Sequence, residues 1–504
     1  MAAKTLERFL PDEAATLRLG EDLAMALKAG DVLALRGDLG AGKSTLARAL
    51  IRALADDAAL DVPSPTFTLV QSYDTAPPVH HFDLYRLGDP SELDELGFEE
   101  AIDGGAALVE WPERAAGRLP ATTLTIDLLH EGDGRTARLT GSDSVVERFA
   151  RSLAMRDFLG RAGWGEASRR RFVGDASARS YEIVRLAGAP PRVLMNAPPL
   201  VLGPPVRGDK AYAEIAHTSR DIAAFVAVDK ALAKAGVTVP EIYADDLGKG
   251  FALLEHLGSG SFLDAESRPM RERYAAAAAE LLAFMHAQRW SYDMEVRPGV
   301  RHVVPPFDRD AMMIEAELLV DWYVPAVTGA PAGEALRAAF RREWDALIDR
   351  LAGSETTLML RDFHSPNIVW RGERAGLNRL GILDFQDALV GPPAYDVASL
   401  ALDARVTVPE DIEQATLAAY IAARKEAGAF DEDHFREAYA IMAAQRNSKI
   451  LGIFVRLDRR DGKPAYLKHL PRIRAYLRRA VAHPALAGLR AFYEEHGILE
   501  ERVL

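Results

Sequence analysis

The stretch RDFHSPNIVW, Arg361 to Trp370, and the run LGILDFQDALVGPPAYD, Leu380 to Asp396, decide how the larger part of this chain is read. Asp362 and Asn367 stand five residues apart, and Asp384 follows the apolar rise Leu380-Gly381-Ile382-Leu383. Phosphoryl transfer needs those residue types in that order. One carboxylate takes the proton of an attacking hydroxyl. An amide carbonyl and a second carboxylate hold Mg²⁺ against the phosphates of ATP. Asp-x4-Asn alone is weak, since an ordinary loop and strand with polar ends also carries it. The Ile-Leu-Asp-Phe that trails it at this distance makes the pattern specific.

Outward from that stretch, the preceding segments alternate between strand and turn. Arg171 to Arg185 reads strand, small-residue turn, strand, with Ser177 and Arg179 in the turn. Such a turn covers phosphates in an ATP-grasping hairpin, and a plain hairpin fits equally well. Val193 to Pro199 is a short third strand, and Asp221 to Ala235 a helix. Phe251 to Gly258 reads as a strand leading to a hinge, where backbone groups around Glu255 and Leu257 are placed to pair with adenine. After Gly260 the periodicity becomes helical over Tyr274–His286, Asp310–Trp322 and Ala335–Leu351, and again over Ile412–Gly428 and Asp433–Phe454. A small strand-rich lobe, about residues 165–258, followed by a helical lobe, about 259–504, is the order implied. His286 and His364 lack metal-ligand spacing and read as packing or polar anchors.

The first third follows a different logic. Asp31 to Arg36 is a buried strand that runs into Gly37-Asp38-Leu39-Gly40-Ala41-Gly42-Lys43-Ser44, and Thr45 to Leu54 continues as a helix. This is a P-loop in its required strand–loop–helix context. Its glycines let backbone N–H groups close on phosphates, Lys43 reaches the β/γ-phosphates, and the Ser44 hydroxyl ligates Mg²⁺. Glu13 to Lys28 is a helix ahead of it, and Thr122 to Thr140 a hairpin turning at Glu131–Gly134. The metal site needs a further acid at a neighbouring strand end. Val79 to Phe82 ends in Asp83 and Ala106 to Val109 ends in Glu110, and both acids are read into the site. Val145 to Leu159 has helical spacing and starts the next domain. The fold class expected is an α/β P-loop domain, residues 1–148, followed by an α+β two-lobed domain, residues 149–504.

Bulk properties agree with a globular chain of two or three domains. Of its 504 residues, 49% are hydrophobic and 27% charged. It has no cysteine, which excludes disulfides, thiolate metal sites and a cysteine nucleophile. The first residues carry acids and no apolar leader core, and no apolar run is long enough to span a bilayer, so a soluble, cytoplasmic protein without a membrane partner is expected. Residues 1–150 hold 14 Lys and Arg against 26 Asp and Glu, so −12 of the −13 net charge lies there. An acidic domain has no direct grip on nucleic acid by itself, because phosphate binding needs clustered cations.

GDLGAGKST, SPTFTLVQSY, HFDLYRL and ALVEWPE, in this order and spacing, resemble the small ATPase subunit of the bacterial machinery that makes threonylcarbamoyl-adenosine in tRNA. The resemblance covers nearly all of residues 1–145. It implies ATP hydrolysis that resets a partner complex, the threonylcarbamoyl-transferase subunits, rather than contact with tRNA alone. It makes Lys43 and Ser44 the phosphate and Mg²⁺ holders, Glu110 an acid at or behind the metal, and Asp83 a residue needed for hydrolysis. Thr66 and Thr68 fall in a switch-like segment.

RDFHSPN followed by LDF resembles the aminoglycoside phosphotransferase superfamily, which has a protein-kinase-like fold. GDASARSY, LMNAPP, LDFQDALVGPPAYDVASL, QRNSKILGIFVRLDRRDGK and YLKHLPR narrow the resemblance to the anomeric kinases of cell-wall amino sugars. Those enzymes phosphorylate the C1 hydroxyl of N-acetylmuramate or N-acetylglucosamine in peptidoglycan recycling. The resemblance implies Asp362 as catalytic base and Asn367 and Asp384 as Mg²⁺ ligands. Ser177 and Arg179 then belong to the phosphate-covering turn, and Arg361 and His364 frame the base. Gln386 and Asp387 reach the sugar side, and Glu317, Asp321 and Trp322 are candidate substrate contacts. Two departures stand out. Leu360 occupies a position where many relatives carry histidine. No lysine lies in Arg192–Pro199, where kinases of this fold hold one on phosphate; Arg179 and Lys210 are the candidate substitutes, and without either the nucleotide grip is unusual. Competing readings are a kinase for another small alcohol, of aminoglycoside or choline type, and a nucleotide-binding scaffold that regulates the ATPase.

Overall fold

Residues 4–172 and 179–502 are described by the structure, a computed structural model. The chain divides into two compact units. One comprises Met1–Ala197 with Ile242–Glu255, and the other Pro198–Glu241 with His256–Leu504.

The first unit contains two sheets. The larger has seven strands in the spatial order Lys4–Leu10, Gly134–Gly141, Leu124–Glu131, Val32–Arg36, Ala106–Glu110, Val79–Asp83, Val70–Tyr73. Val32–Arg36 lies at its centre, with parallel neighbours on both sides. Its apolar run reflects burial on both faces. Alternate residues serve different cores, as the two-residue period of a strand requires. Leu33, Leu35 and Leu108 pack with helices Glu13–Ala26 and Lys43–Ala55, whereas Val32, Ala107 and Val109 pack with Phe82 and Phe98. The edge strand Lys4–Leu10 was not legible, because Lys4, Glu7 and Arg8 break any apolar alternation over a largely exposed surface.

The smaller sheet is antiparallel, in the order Ile242–Asp246, Phe251–Glu255, Arg192–Asn196, Ser180–Arg185, Ser168–Phe172. Helix Asp143–Arg161 joins the two sheets, and the expected boundary at residue 148 falls inside it. Its Phe149 and Leu153 belong to the core of the large sheet, and its Met155, Phe158 and Leu159 to the core of the small one. A buried ion cluster ties the same elements. Arg169 donates to Glu182 at 2.7 Å and to Asp22 at 2.7 Å, and Arg156 donates to Asp22 at 2.9 Å. Ser152 donates to the Asp22 carbonyl at 2.6 Å.

The second unit is mainly helical. Helices expected as continuous at Tyr274–His286 and Asp310–Trp322 are each interrupted by a π-helical turn, at Ala277–Leu282 and Leu319–Tyr323. At the second turn a long helix, Glu432–Arg459, approaches very closely: a Cβ on Gly452 would lie 2.2 Å from the Leu318 backbone. Two short antiparallel ladders position the loops that matter. Thr357–Met359 pairs with Leu389–Gly391, and Ile368–Trp370 pairs with Leu380–Ile382. Among the described residues no helix is long and apolar enough to cross a membrane.

Candidate active sites

The P-loop follows the central strand of the large sheet and opens helix Lys43–Ala55. Gly37, Gly40 and Gly42 all have positive φ, and at Gly42 a Cβ would also collide with Arg135 Nη1, 2.1 Å away. Arg135 donates to the Ala41 carbonyl at 2.6 Å, a contact from the distant hairpin that local pattern could not reveal. Lys43 is buried and turned back on the loop, donating to the Gly37 and Asp38 carbonyls at 2.7 and 3.0 Å, with its ammonium 4.0 Å from the Trp111 ring centre. Ser44 and Thr45 lie in the first helical turn.

Register brings the two acids together: Asp83 and Glu110 are direct partners on adjacent parallel strands. Both are buried, and each is held differently. Glu110 accepts from Ser44 at 3.0 Å and lies 3.0 Å from His81 Nε2. Asp83 accepts from Ser64 at 2.9 Å and Thr66 at 2.6 Å. Glu110 is therefore the acid in contact with the P-loop hydroxyl, and Asp83 anchors the segment that carries Thr66. Thr68 is exposed in the same segment. His81 was overlooked, although its alternation with Asp83 along one strand was a usable signal.

In the second unit, the loop Leu360–Asn367 joins one ladder to the other, and a second loop, Leu383–Ala388, joins them back. Pairing of Ile368 with Ile382 sets Asn367 beside Asp384, with Asn367 Nδ2 3.4 Å from Asp384 Oδ2. The same amide donates to the Asp362 carbonyl at 2.9 Å. Arg361 and Asp384 both have positive φ without being glycine, a conformation that costs about 1–3 kcal/mol and is found at functional sites. Asp396 holds the first loop in that shape, accepting from the Leu360 and Arg361 N–H groups at 2.6 and 2.8 Å. Asp403 accepts from Ser365 N and Oγ at 2.8 and 2.5 Å.

Burial alone would raise the Asp362 carboxyl, but the charges of Lys449, His364, Arg361 and Arg446 outweigh it and hold the group below its ordinary value. Behind the loop lies Glu315, fully buried, which accepts from Arg361 and, at 2.7 Å, from Lys449. Those two cations overcome its burial and hold it at about 2. His364 is pushed down by burial, and its Nε2 stands 3.5 Å from Asn367 Nδ2.

Gln386 is buried and donates to Asp384 at 2.8 Å, and Asp387 accepts from Ser219 N at 2.7 Å. Glu317 is buried with one oxygen on Arg207 and the other on Arg341. Asp321 is exposed and accepts from Arg337 at 2.5 Å, and Trp322 beside it is half-buried. Glu317, Asp321 and Trp322 are thus one group on the π-helical turn and its approach, and among the described residues Glu317 and Asp321 accept from Arg207, Arg341 and Arg337 rather than from the loop of Asp362. Glu255 ends a strand of the first unit, opposite Arg192, and Leu257 is buried in the second. Arg179 precedes a strand of the first unit and Lys210 is exposed on a small hairpin of the second. Ser177 lies outside the described residues. His286 contacts the Tyr420 hydroxyl at 3.0 Å.

The donor sets suit Mg²⁺, which takes hard oxygen ligands and is bound by one or two carboxylates together with substrate phosphates. Ser44 with Glu110, and Asn367 with Asp384, supply oxygens of that kind. Among the described residues no group of three or more acids and histidines is arranged to hold a metal ion by itself.

The family model of the phosphotransferase enzyme family matches residues 164–437, more than half of the chain. This chain belongs to that family. A second model, threonylcarbamoyl adenosine biosynthesis protein TsaE, matches residues 10–138. An N-acetylmuramate/N-acetylglucosamine kinase of Caulobacter vibrioides is 33% identical over 369 residues, 70% of this chain and 98% of the relative. A kinase of the same description from Pseudomonas aeruginosa is 34% identical over 65% of this chain and 89% of its own length. The tRNA threonylcarbamoyladenosine biosynthesis protein TsaE of Haemophilus influenzae is 36% identical over 28% of this chain and 93% of its own. The chain is an enzyme: a TsaE-family P-loop ATPase domain followed by a phosphotransferase domain of kinase-like fold that uses ATP.

Proposed function

We propose that the phosphotransferase domain transfers the γ-phosphoryl group of ATP to the C1 hydroxyl of N-acetylmuramate or N-acetylglucosamine, for peptidoglycan recycling. The observation that carries this reading is the catalytic loop, with an ionised Asp362 beside an Asn367–Asp384 pair, in a chain whose relatives named above are kinases of those sugars. Asp362 takes the proton of the C1 hydroxyl as the sugar oxygen attacks. Asn367 and Asp384 hold Mg²⁺, which when bound neutralises phosphate charge. Arg361 and His364 frame the base, and Gln386 and Asp387 face the sugar. The near-neutral charge of residues 151–504, with 47 Lys and Arg against 48 Asp and Glu, does not favour a polycationic aminoglycoside. Phosphate on C1 removes the reducing end. In Lys43→Ala protein, where the P-loop adds no background ADP, loss of reducing sugar in step with sugar-dependent ADP formation therefore supports this site of transfer, and sugar-dependent ADP formation with the reducing end intact rejects it.

We infer that residues 1–148 hydrolyse ATP in support of threonylcarbamoyladenosine formation at tRNA position 37, acting through the transferase subunits rather than on tRNA directly. The resemblance to TsaE and the acid excess of this segment support that reading. Lys43 and Ser44 hold the nucleotide, Glu110 stands at the metal, and Asp83 ties the segment of Thr66 to the site. Mixing the chain with transferase subunits should stimulate hydrolysis several-fold in wild type and leave Lys43→Ala at background. Equal rates in the two would remove the P-loop from hydrolysis.

A further inference from the structure

Arg446 lies midway along helix Glu432–Arg459, in a run of buried positions, and is only 4% exposed. Among the described residues its Nη1 has no hydrogen-bond partner. Its neighbours on the helix are committed elsewhere. Gln445 donates to Glu315 at 3.1 Å, and Lys449, one turn on, donates to Glu315 at 2.7 Å. Arg361 takes the same carboxylate, so Glu315 is shared by two cations already. A buried guanidinium without a bonded counter-charge is costly, and it persists where the counter-charge arrives with a ligand. Its position selects the ligand. Gln445 and Lys449 on either side of it reach Glu315, which binds Arg361 next to Asp362, and the Arg446 charge contributes to holding Asp362 and His364 low.

We propose that Arg446 is a substrate-binding residue that receives an anionic oxygen of the bound reactants beside Asp362. The inference rests on the amino-sugar kinase reading. Two oxygens share the required chemistry: those of the phosphoryl group in transfer, and the carboxylate of the lactyl ether that N-acetylmuramate carries and N-acetylglucosamine lacks. A guanidinium binds either through paired N–H groups, which an ammonium cannot imitate.

The test is steady-state kinetics of the full chain on both sugars, for wild type, Arg446→Lys and Arg446→Gln, with a thermal melt of each. A drop in kcat of tenfold or more on both sugars, with unchanged melting, assigns Arg446 to the phosphoryl group. A tenfold rise in KM confined to N-acetylmuramate assigns it to the carboxylate. Changes below twofold on both sugars overturn the proposal. If Arg446→Gln does not fold, Arg446→Lys, which keeps the charge and loses the fork, is judged by the same thresholds. Wild type that phosphorylates neither sugar rejects the amino-sugar reading itself, which is distinct from an active wild type matched by its variants.

Discussion

Asp362 accepts a proton only as a carboxylate, and the cations around it keep it one. Asp362→Asn preserves its size and removes the base, so sugar phosphate formation should fall about 10²–10⁴-fold while ATP affinity, measured by calorimetry, stays within about threefold. Asp229 shows the opposite electrostatics. It is buried on helix Ile222–Lys234, its Oδ2 has no partner among the described residues, and burial raises it to about 7 against a weaker opposing pull from Lys230. The folded state therefore binds this proton more tightly than the unfolded chain. Stability from this group is complete below about pH 4 and is lost as pH rises through about 7. The ceiling on that loss is about 4 kcal/mol. Asp229→Asn should raise the melting temperature at pH 8 relative to wild type, by about 1–2 kcal/mol of stability, and should have little effect at pH 4.5. An equal effect at both pH values would mean that the carboxyl is not held proton-bound in the fold.

At the scale of elements, the catalytic loop is a strained connection clamped from outside. Asp396 accepts two of its N–H groups, and Arg361 within it has φ of 71°. Asp396→Asn leaves one oxygen to do this, so kcat should drop tenfold or more while KM for ATP changes little, a split that a purely global destabilisation would not give. Much of this site was legible. Asp362, Asn367 and Asp384 are brought together by two ladders of neighbouring sequence, and the P-loop is a local strand–loop–helix, so motif spacing carried both. What escaped was assembled from afar. Glu315 meets Arg361 of the catalytic loop and Lys449 of another helix at sequence separations that hide the pairing, and Arg135 reaches Ala41 from across the sheet. The π-helical turns were invisible because the apolar spacing of Tyr274–His286 and Asp310–Trp322 fits an uninterrupted α-helix. Strand Lys4–Leu10 was hidden by exposed charge, which a sheet edge tolerates.

At the scale of the molecule, the P-loop sheet and the antiparallel sheet of the phosphotransferase domain belong to one compact unit, although the two families meet within it. Helix Asp143–Arg161 divides its apolar residues between the two cores, and Asp22 binds both Arg156 and Arg169 out of water. Removing one member of a buried ion cluster strands the others, at a cost of about 3–5 kcal/mol. Asp22→Ala should therefore lower the melting temperature, and hydrogen exchange in strands Val32–Arg36 and Phe251–Glu255 should rise together. Faster exchange in only one of them would show that the sheets unfold independently. The whole chain thus carries a P-loop ATPase domain and a phosphotransferase domain, and the acceptor proposed for the second is the C1 hydroxyl of an amino sugar. Phosphorus NMR of the product formed by Lys43→Ala protein from ATP, Mg²⁺ and N-acetylmuramate or N-acetylglucosamine addresses that acceptor most directly, because the substitution silences the P-loop. The expected result is an anomeric sugar 1-phosphate resonance that disappears when Asp362→Asn is added. Phosphate on another hydroxyl, or no sugar phosphate from protein that still binds ATP, would contradict transfer to C1.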